Sequence, residues 1–168
     1  MILAIDPGPE YSAYALVDPV DRKPVEVGKI PSKTLLGMIE TGWPAPVSSA
    51  VVEMVASYGM AVGAEVFDTC VWIGRFVQSI RAAHRLDATL VTRLPVKLHH
   101  CHSAAAKDAN VVQALIDRFA PGQQNHGKGT KKQPGWFFGF AADMWQAYAL
   151  GVYWADTARP ADAVASTI

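Results

Sequence analysis

Two short apolar runs set back to back around a carboxylate and a tight turn constrain this chain more than any other stretch of it. Ile2-Leu3-Ala4-Ile5 leads into Asp6-Pro7-Gly8-Pro9-Glu10, and Tyr14-Ala15-Leu16-Val17-Asp18 follows. Proline presets φ and glycine accepts reversed backbone, so the chain doubles back here and the second run returns as a strand. A short buried strand that ends on Asp6 beside such a turn presents a fixed carboxylate to a metal or a phosphate. Asp-Pro-Gly is equally good turn chemistry, so Asp6 alone decides nothing.

The strands expected from this start are 2–6, 11–18 and 24–30, an antiparallel meander broken at Asp18-Pro19-Val20-Asp21. A short helix follows, with Ser32 as its N-cap and Gly42 just past its end. Ser49-Ala50-Val51-Val52-Glu53-Met54-Val55 reads as a fourth strand, apolar on both faces as in the centre of a covered sheet. A long helix spans about 62–84 by the period of its apolar residues. Phe67, Val71, Gly74, Val77 and Ile80 repeat at helical spacing, and Trp72, Ile73 and Phe76 widen the stripe. So broad a stripe is expected to meet a second subunit, with Trp72 and Phe76 at the interface. A fifth strand at 88–92, a helical stretch that includes 107–119 and a last helix over 141–157 complete the order. The result is mixed α/β, an antiparallel half followed by parallel crossovers.

With 168 residues, 51% hydrophobic and 18% charged, the chain is expected to form one domain over 1–157, followed by a disordered tail at 158–168. No apolar run of membrane-spanning length lacks charges, and no basic region precedes the first apolar run, so the expectation is a cytoplasmic protein with no membrane partner. Cys70 and Cys101 show no pairing pattern. The net charge is zero, yet 93–132 holds seven basic residues against two acidic ones. Arg93, Lys97, Lys107, Arg118, Lys128, Lys131 and Lys132 thus form either a nucleic-acid-facing segment or a merely solvated basic face. Within it, 122–133 has no hydrophobic residue and reads as a mobile cationic surface loop.

Two further carboxylates stand where Asp6 would need them. Glu53 interrupts an apolar central strand, where a charge is costly unless it is paired or ligating. Asp143 opens the last helix after Gly139-Phe140-Ala141-Ala142, where an anion is favoured and simple capping is the competing explanation.

Together these features resemble the RuvC-type Holliday junction resolvases of the ribonuclease H-like superfamily. The resemblance rests on Ile5-Asp6-Pro7-Gly8 between strands, Glu53 on a central strand and Asp143 at an Ala-rich helix. Gly74-Arg75, Pro95-Val96-Lys97 and Lys107-Asp108-Ala109-Asn110-Val111-Val112-Gln113 follow in the family's order, so it covers roughly 1–155. The compact size and Leu98-His99-His100-Cys101-His102-Ser103 are most similar to a phage or prophage version. It implies a five-stranded mixed sheet with helices on both faces, and a homodimer that makes paired nicks in four-way DNA junctions. It also implies two Mg²⁺ ions, for which Mn²⁺ would substitute. Asp6 would bridge them, Glu53 and Asp143 would flank them, and Lys107 would act as the catalytic lysine. Arg75, Lys97, Lys107, Lys128, Lys131 and Lys132 would contact DNA. The chemistry fits the residue types, because hard cations take oxygen ligands and Mg²⁺ keeps several waters.

The sequence departs from the family at one point. The family carries another acid or a His one helical turn before the last Asp, and that position is Phe140, or Gln146 if the register shifts. Either three carboxylates and substrate phosphate hold both ions, or one site is weak. Three other functions stay open: a nuclease on RNA–DNA hybrids, a nuclease on other branched DNA, and a junction-binding relative without activity. The actin-like and sugar-kinase ATPases also begin with a strand and an Asp-x-Gly turn, but they need a second such unit that these residues lack. His99 and His102 would share a helix face, a conceivable two-ligand metal site, although packing or a place beside DNA fits the spacing better.

Overall fold

The structure, a computed structural model, describes residues 1–57, 59 and 63–158. The turn after Asp6 does what its residues dictate. Strand β1 (Ile2–Asp6) ends in it and β2 (Tyr11–Val17) returns antiparallel, with Asp6 opposite Ala13. Strand β3 (Pro24–Pro31) adds antiparallel to β2, while β4 (Ser49–Met54) lies parallel on the other side of β1. Strand β5 (Thr89–Thr92) is parallel to β4, giving the order β3-β2-β1-β4-β5. This is the expected mixed five-stranded sheet, antiparallel over its first three strands and parallel thereafter.

Side chains alternate across a strand, so β1 splits between two cores. Leu3 and Ile5 face the layer of α1 (Ser32–Thr41) and α2 (Ala64–His84). Ile2 and Ala4 face that of α3 (Arg93–Cys101), α4 (Asp108–Phe119) and α5 (Met144–Thr157). Helix α5 lies close on β1 and β2 because Gly151 has no Cβ. One placed there would come within 2.7 Å of Val17 Cγ2 and 3.2 Å of Ala4 Cβ. Among the described residues, no helix is long and apolar enough to cross a membrane.

Several local expectations need correction. Ser32 does not cap α1, since the N-cap is Pro31 and no side chain bonds the helix start. The Ser32 hydroxyl is instead fully buried under the β1–β2 turn, donating to Gly8 O at 3.2 Å and lying 2.8 Å from Ser12 Oγ. Ser12 Oγ also accepts the Gly8 N–H at 3.3 Å. In this turn Gly8 is obligatory, because a Cβ would lie 2.3 Å from Tyr11 O.

Helix α2 turns Thr69, Ile73, Phe76 and Ile80 into the core and leaves Phe67 and Val71 exposed. Phe76 is completely buried within the single chain, so it is not available as an interface residue. Trp72 is half-buried, stacks on Phe76 at 5.7 Å and donates its indole N–H to Pro9 O at 2.8 Å. It therefore pins the turn that follows Asp6. Val62, the expected start of this helix, lies outside the described residues.

Helix α3 was not evident in the sequence as a separate element. It is only nine residues long and has Pro95 in its first turn, where the missing N–H is harmless. The last helix begins at Met144 rather than 141 because Gly139 and Ala142 take positive φ, 83° and 44°. Gln124–Gly127 form a tight turn in which Asn125 and His126 take left-handed backbone, and backbone bonds between Thr130 and Gln133 and from Gly135 N to Lys128 O close a small hairpin over much of 122–133. That segment is exposed yet internally bonded. The tail beyond Ala158 lies outside the described residues.

Candidate active site

In a sheet with parallel strands, the carboxyl edge is where side chains converge on a ligand. Asp6 ends β1 and Glu53 stands near the end of β4, one position beyond the paired Ile5 and Val52. Arg93 follows β5 directly as the first residue of α3. Helix starts supply the rest of the acids: Asp108 opens α4, and Asp143 sits at the N-cap of α5. Asp6, Glu53, Arg93 and Asp108 form one ion-paired group at the sheet edge, and Asp143 adds its charge to the field at Asp6.

Arg93 organises the inner group. Its Nη1 lies 2.7 Å from Glu53 Oε2 and 4.0 Å from Asp6 Oδ2, and its Nη2 lies 3.4 Å from Asp108 Oδ1. The Asp6 and Glu53 side chains are only 17% and 16% exposed, whereas Asp108 and Asp143 are open to solvent. Burial pushes the Asp6 carboxyl up to about 7, and the charges of Glu53, Asp143 and Asp108 add to the rise while Arg93 opposes it. Burial likewise raises Glu53, against the pull of Arg93. Arg93 is itself held above its ordinary value: burial alone would lower it, but Glu53, Asp6 and Asp108 prevail. One guanidinium therefore does not neutralise the carboxylates around it.

Asp143 does not cap α5 through its side chain. It forms an ion pair with Lys29 on β3 and stays half exposed. Among the described residues, no three His, Cys, Asp or Glu side chains converge closely enough to ligate one ion. The donor set nevertheless suits a hard divalent cation. Asp6, Glu53 and Asp143 offer only carboxylate oxygens, and Asp6 lies in a field with surplus negative charge. Side-chain cations meet all three, Arg93 at Glu53 and more distantly at Asp6, and Lys29 at Asp143.

Lys107 is exposed at the N-cap of α4, its backbone N–H donating to Asn110 Oδ1 at 2.8 Å. It directly precedes Asp108 in the chain. Lys97 is half-buried on α3 and contributes to the field at Glu53. Arg75 is exposed, its guanidinium 4.8 Å from the Trp72 ring centroid. Lys131 and Lys132 are exposed on the 122–133 hairpin and Lys128 is half-buried there.

Phe140 is a core residue, 2% exposed, with ring centroids 4.9 Å from Trp145, 5.2 Å from Phe137 and 5.3 Å from Tyr148. Gln146 is buried as well. Neither replaces a fourth acid.

The His/Cys cluster separates, so the conceivable two-ligand site does not form. His102 takes a left-handed conformation that ends α3, so it lies outside the helix that carries His99, and it is exposed. His99 Nε2 lies 2.8 Å from Asp156 Oδ2, and His100 donates to Ala149 O at 2.9 Å. Asp156 also takes Arg22 Nε at 3.0 Å and both Arg118 nitrogens, at 2.6 and 3.1 Å. Burial would raise the Asp156 carboxyl, but the bonds from Arg118, His99 and Arg22 hold it far below the usual carboxylate range.

Sequence reasoning missed Arg93 and Lys29. Arg93 had a signal, its place directly after a parallel strand at the carboxyl edge. Lys29 had none, because its partner lies 114 residues away.

The sheet order and the two helical layers are those of the ribonuclease H-like fold. Among solved structures, the chain is similar to Thermus thermophilus RuvC, with a TM-score of 0.61 and 13% identity over 92% of this chain and 95% of that one. It is equally similar to T. thermophilus RuvC in complex with Holliday junction substrate, with a TM-score of 0.62 and 12% identity over 92% of each chain. At this identity the likeness is one of fold. No family model and no curated protein sequence matches the chain.

Proposed function

We propose that this protein is a structure-selective endonuclease that resolves four-way DNA junctions by hydrolysing phosphodiester bonds, acting as a homodimer. The observation that carries this reading is the pair Asp6 and Glu53, buried side by side at the carboxyl edge of a RuvC-like sheet with more negative charge than Arg93 offsets.

Asp6, Glu53 and Asp143 would hold two divalent ions, Mg²⁺ or Mn²⁺. Such ions supply Lewis-acid activation of the attacking water and charge stabilisation on the leaving oxygen. The chain's own residues do the positioning. The Ser12–Ser32 pair, Gly8 and the Trp72–Pro9 bond fix the turn behind Asp6, so its carboxylate needs no reorganisation when substrate arrives. Lys107 would place a point charge on substrate phosphate beside the acids. Arg75, Lys97, Lys128, Lys131 and Lys132 would bind the DNA backbone, reading junction shape rather than base sequence. A four-way junction is two-fold symmetric, so a C₂ dimer puts two such sites on opposing strands. The exposed Phe67 and Val71 on α2 are the apolar residues available for that contact.

The test is Asp6→Asn with a synthetic four-way junction. Cleavage in Mg²⁺ should fall at least about a thousandfold while junction affinity is kept, since a metal ligand is lost and the phosphate-binding cations remain. A fully active variant would remove Asp6 from the site.

One observation favours a second reading, a junction-binding relative without activity. Arg93 and Lys29 already pair with all three acids, and Phe140 is committed to the core. That reading requires tight junction binding and no product with either metal.

A further inference from the structure

Among the described residues, Arg93 is the cation that the buried acids share, and its surroundings are asymmetric. On one side lie Glu53 and Asp6, both nearly enclosed; on the other lies Asp108, 59% exposed and 3.4–3.5 Å from Nη2. Nη1 faces the inner pair while Nη2 faces the outer carboxylate. Arginine cannot shed its proton to leave such a site, so it can only move. A divalent ion and a guanidinium both need the Glu53 and Asp6 oxygens, and two cations on the same oxygens repel.

From this geometry we propose that Arg93 is a built-in counter-ion of the metal centre. It holds Asp6 and Glu53 together in the metal-free protein and yields to the metal by swinging onto Asp108. This inference rests on the metal-binding reading above. Asp108 is thus a positioning residue, an outer anchor that keeps the displaced guanidinium at the mouth of the site. There it can meet substrate phosphate in a fork geometry that lysine lacks. Displacement makes affinity for the metal lower than the carboxylates alone would give. Loading then depends on how well Asp108 receives the arginine.

The experiment measures binding of Mn²⁺ alone to the full chain, by the electron paramagnetic resonance of free Mn²⁺, in wild type, Arg93→Ala, Arg93→Lys, Asp108→Asn and Arg93→Ala/Asp108→Asn. Removal of the competing guanidinium should tighten Mn²⁺ about tenfold or more in Arg93→Ala. Arg93→Lys, which keeps the charge without the fork, gives the same direction with a smaller gain and serves if the alanine variant does not fold. Asp108→Asn should weaken Mn²⁺ several-fold in the wild-type background and change little once Arg93 is gone, a non-additivity specific to a shared guanidinium. A residue that only supports the fold would lower stability in these variants without raising affinity for the metal. Unchanged or weaker Mn²⁺ binding in both Arg93 variants overturns the inference. So does an equal effect of Asp108→Asn in the two backgrounds, which would mean that Asp108 acts on the metal directly. If neither wild type nor any Arg93 variant binds Mn²⁺, the metal centre itself is refuted. The two failures are therefore distinguishable.

Discussion

The molecule contains two clusters of charge built from the same residue types and balanced in opposite directions. At the carboxyl edge of the sheet, Asp6, Glu53 and Asp108 share the single guanidinium of Arg93. On the α3/α4/α5 side, the single carboxylate of Asp156 receives Arg22, Arg118 and His99. The first group drives Asp6 up to about 7, and the second holds Asp156 far below the ordinary range. A cluster with cations to spare is complete as it stands and ties helices together. A cluster with carboxylates to spare is stabilised by any further cation, and that is the physical mark of a binding site.

The largest effect should come from taking the acid out of the complete cluster. Asp156→Ala leaves two arginines and a histidine facing one another and should cost about 3 kcal/mol in denaturant unfolding. The sign with pH follows. Because the folded carboxyl titrates below its unfolded value of about 4, its contribution is present above that pH and is lost as pH falls below it. A cost under about 0.5 kcal/mol would show that the network is surface decoration.

The same experiment on the incomplete cluster should run the other way. Asp6→Asn should stabilise the metal-free protein by about 2 kcal/mol at pH 8, because the fold resists charging this carboxyl. Here the folded value lies above the unfolded one, so the charging cost grows from about pH 4 to 7 and is complete beyond it. The gain should fade as pH drops toward 4, and Mg²⁺ should reverse it at neutral pH by stabilising only the wild type. A destabilised Asp6→Asn at pH 8 would place both clusters in the same class. Smallest is the effect of the support beneath Asp6. Ser12→Ala should cost about 1 kcal/mol and loosen the turn behind Asp6 without removing a charge from either cluster.

Local chemistry explains which features could be read from the sequence. The Pro/Gly turn, the alternating strands and the doubly apolar Ser49–Met54 each carry their own pattern, so the sheet and the carriers of Asp6 and Glu53 were legible. The expected helix start at 141 lies three residues before the observed one, which makes Asp143 the N-cap rather than a first-turn residue, because Ala142 adopts a positive φ that an alanine does not advertise. Helix α2 gave its period but not its orientation. Phe67 and Phe76 look alike in sequence, and only docking on the sheet buries one and exposes the other. The ion pairs were least legible of all. Arg93 reaches Glu53 across 40 residues and Lys29 reaches Asp143 across 114, separations at which no spacing rule operates. Two of the seven basic residues counted toward a nucleic-acid face, Arg93 and Arg118, in fact serve the two clusters.

Incubation of the wild-type protein with a four-way junction, a plain duplex and an RNA–DNA hybrid, side by side in Mg²⁺ and in EDTA, tests the central claim most directly. The account predicts symmetric nicks on opposing strands of the junction in Mg²⁺ alone, with the duplex and the hybrid left intact. Tight junction binding without product in either Mg²⁺ or Mn²⁺, or cleavage confined to the hybrid, would contradict it.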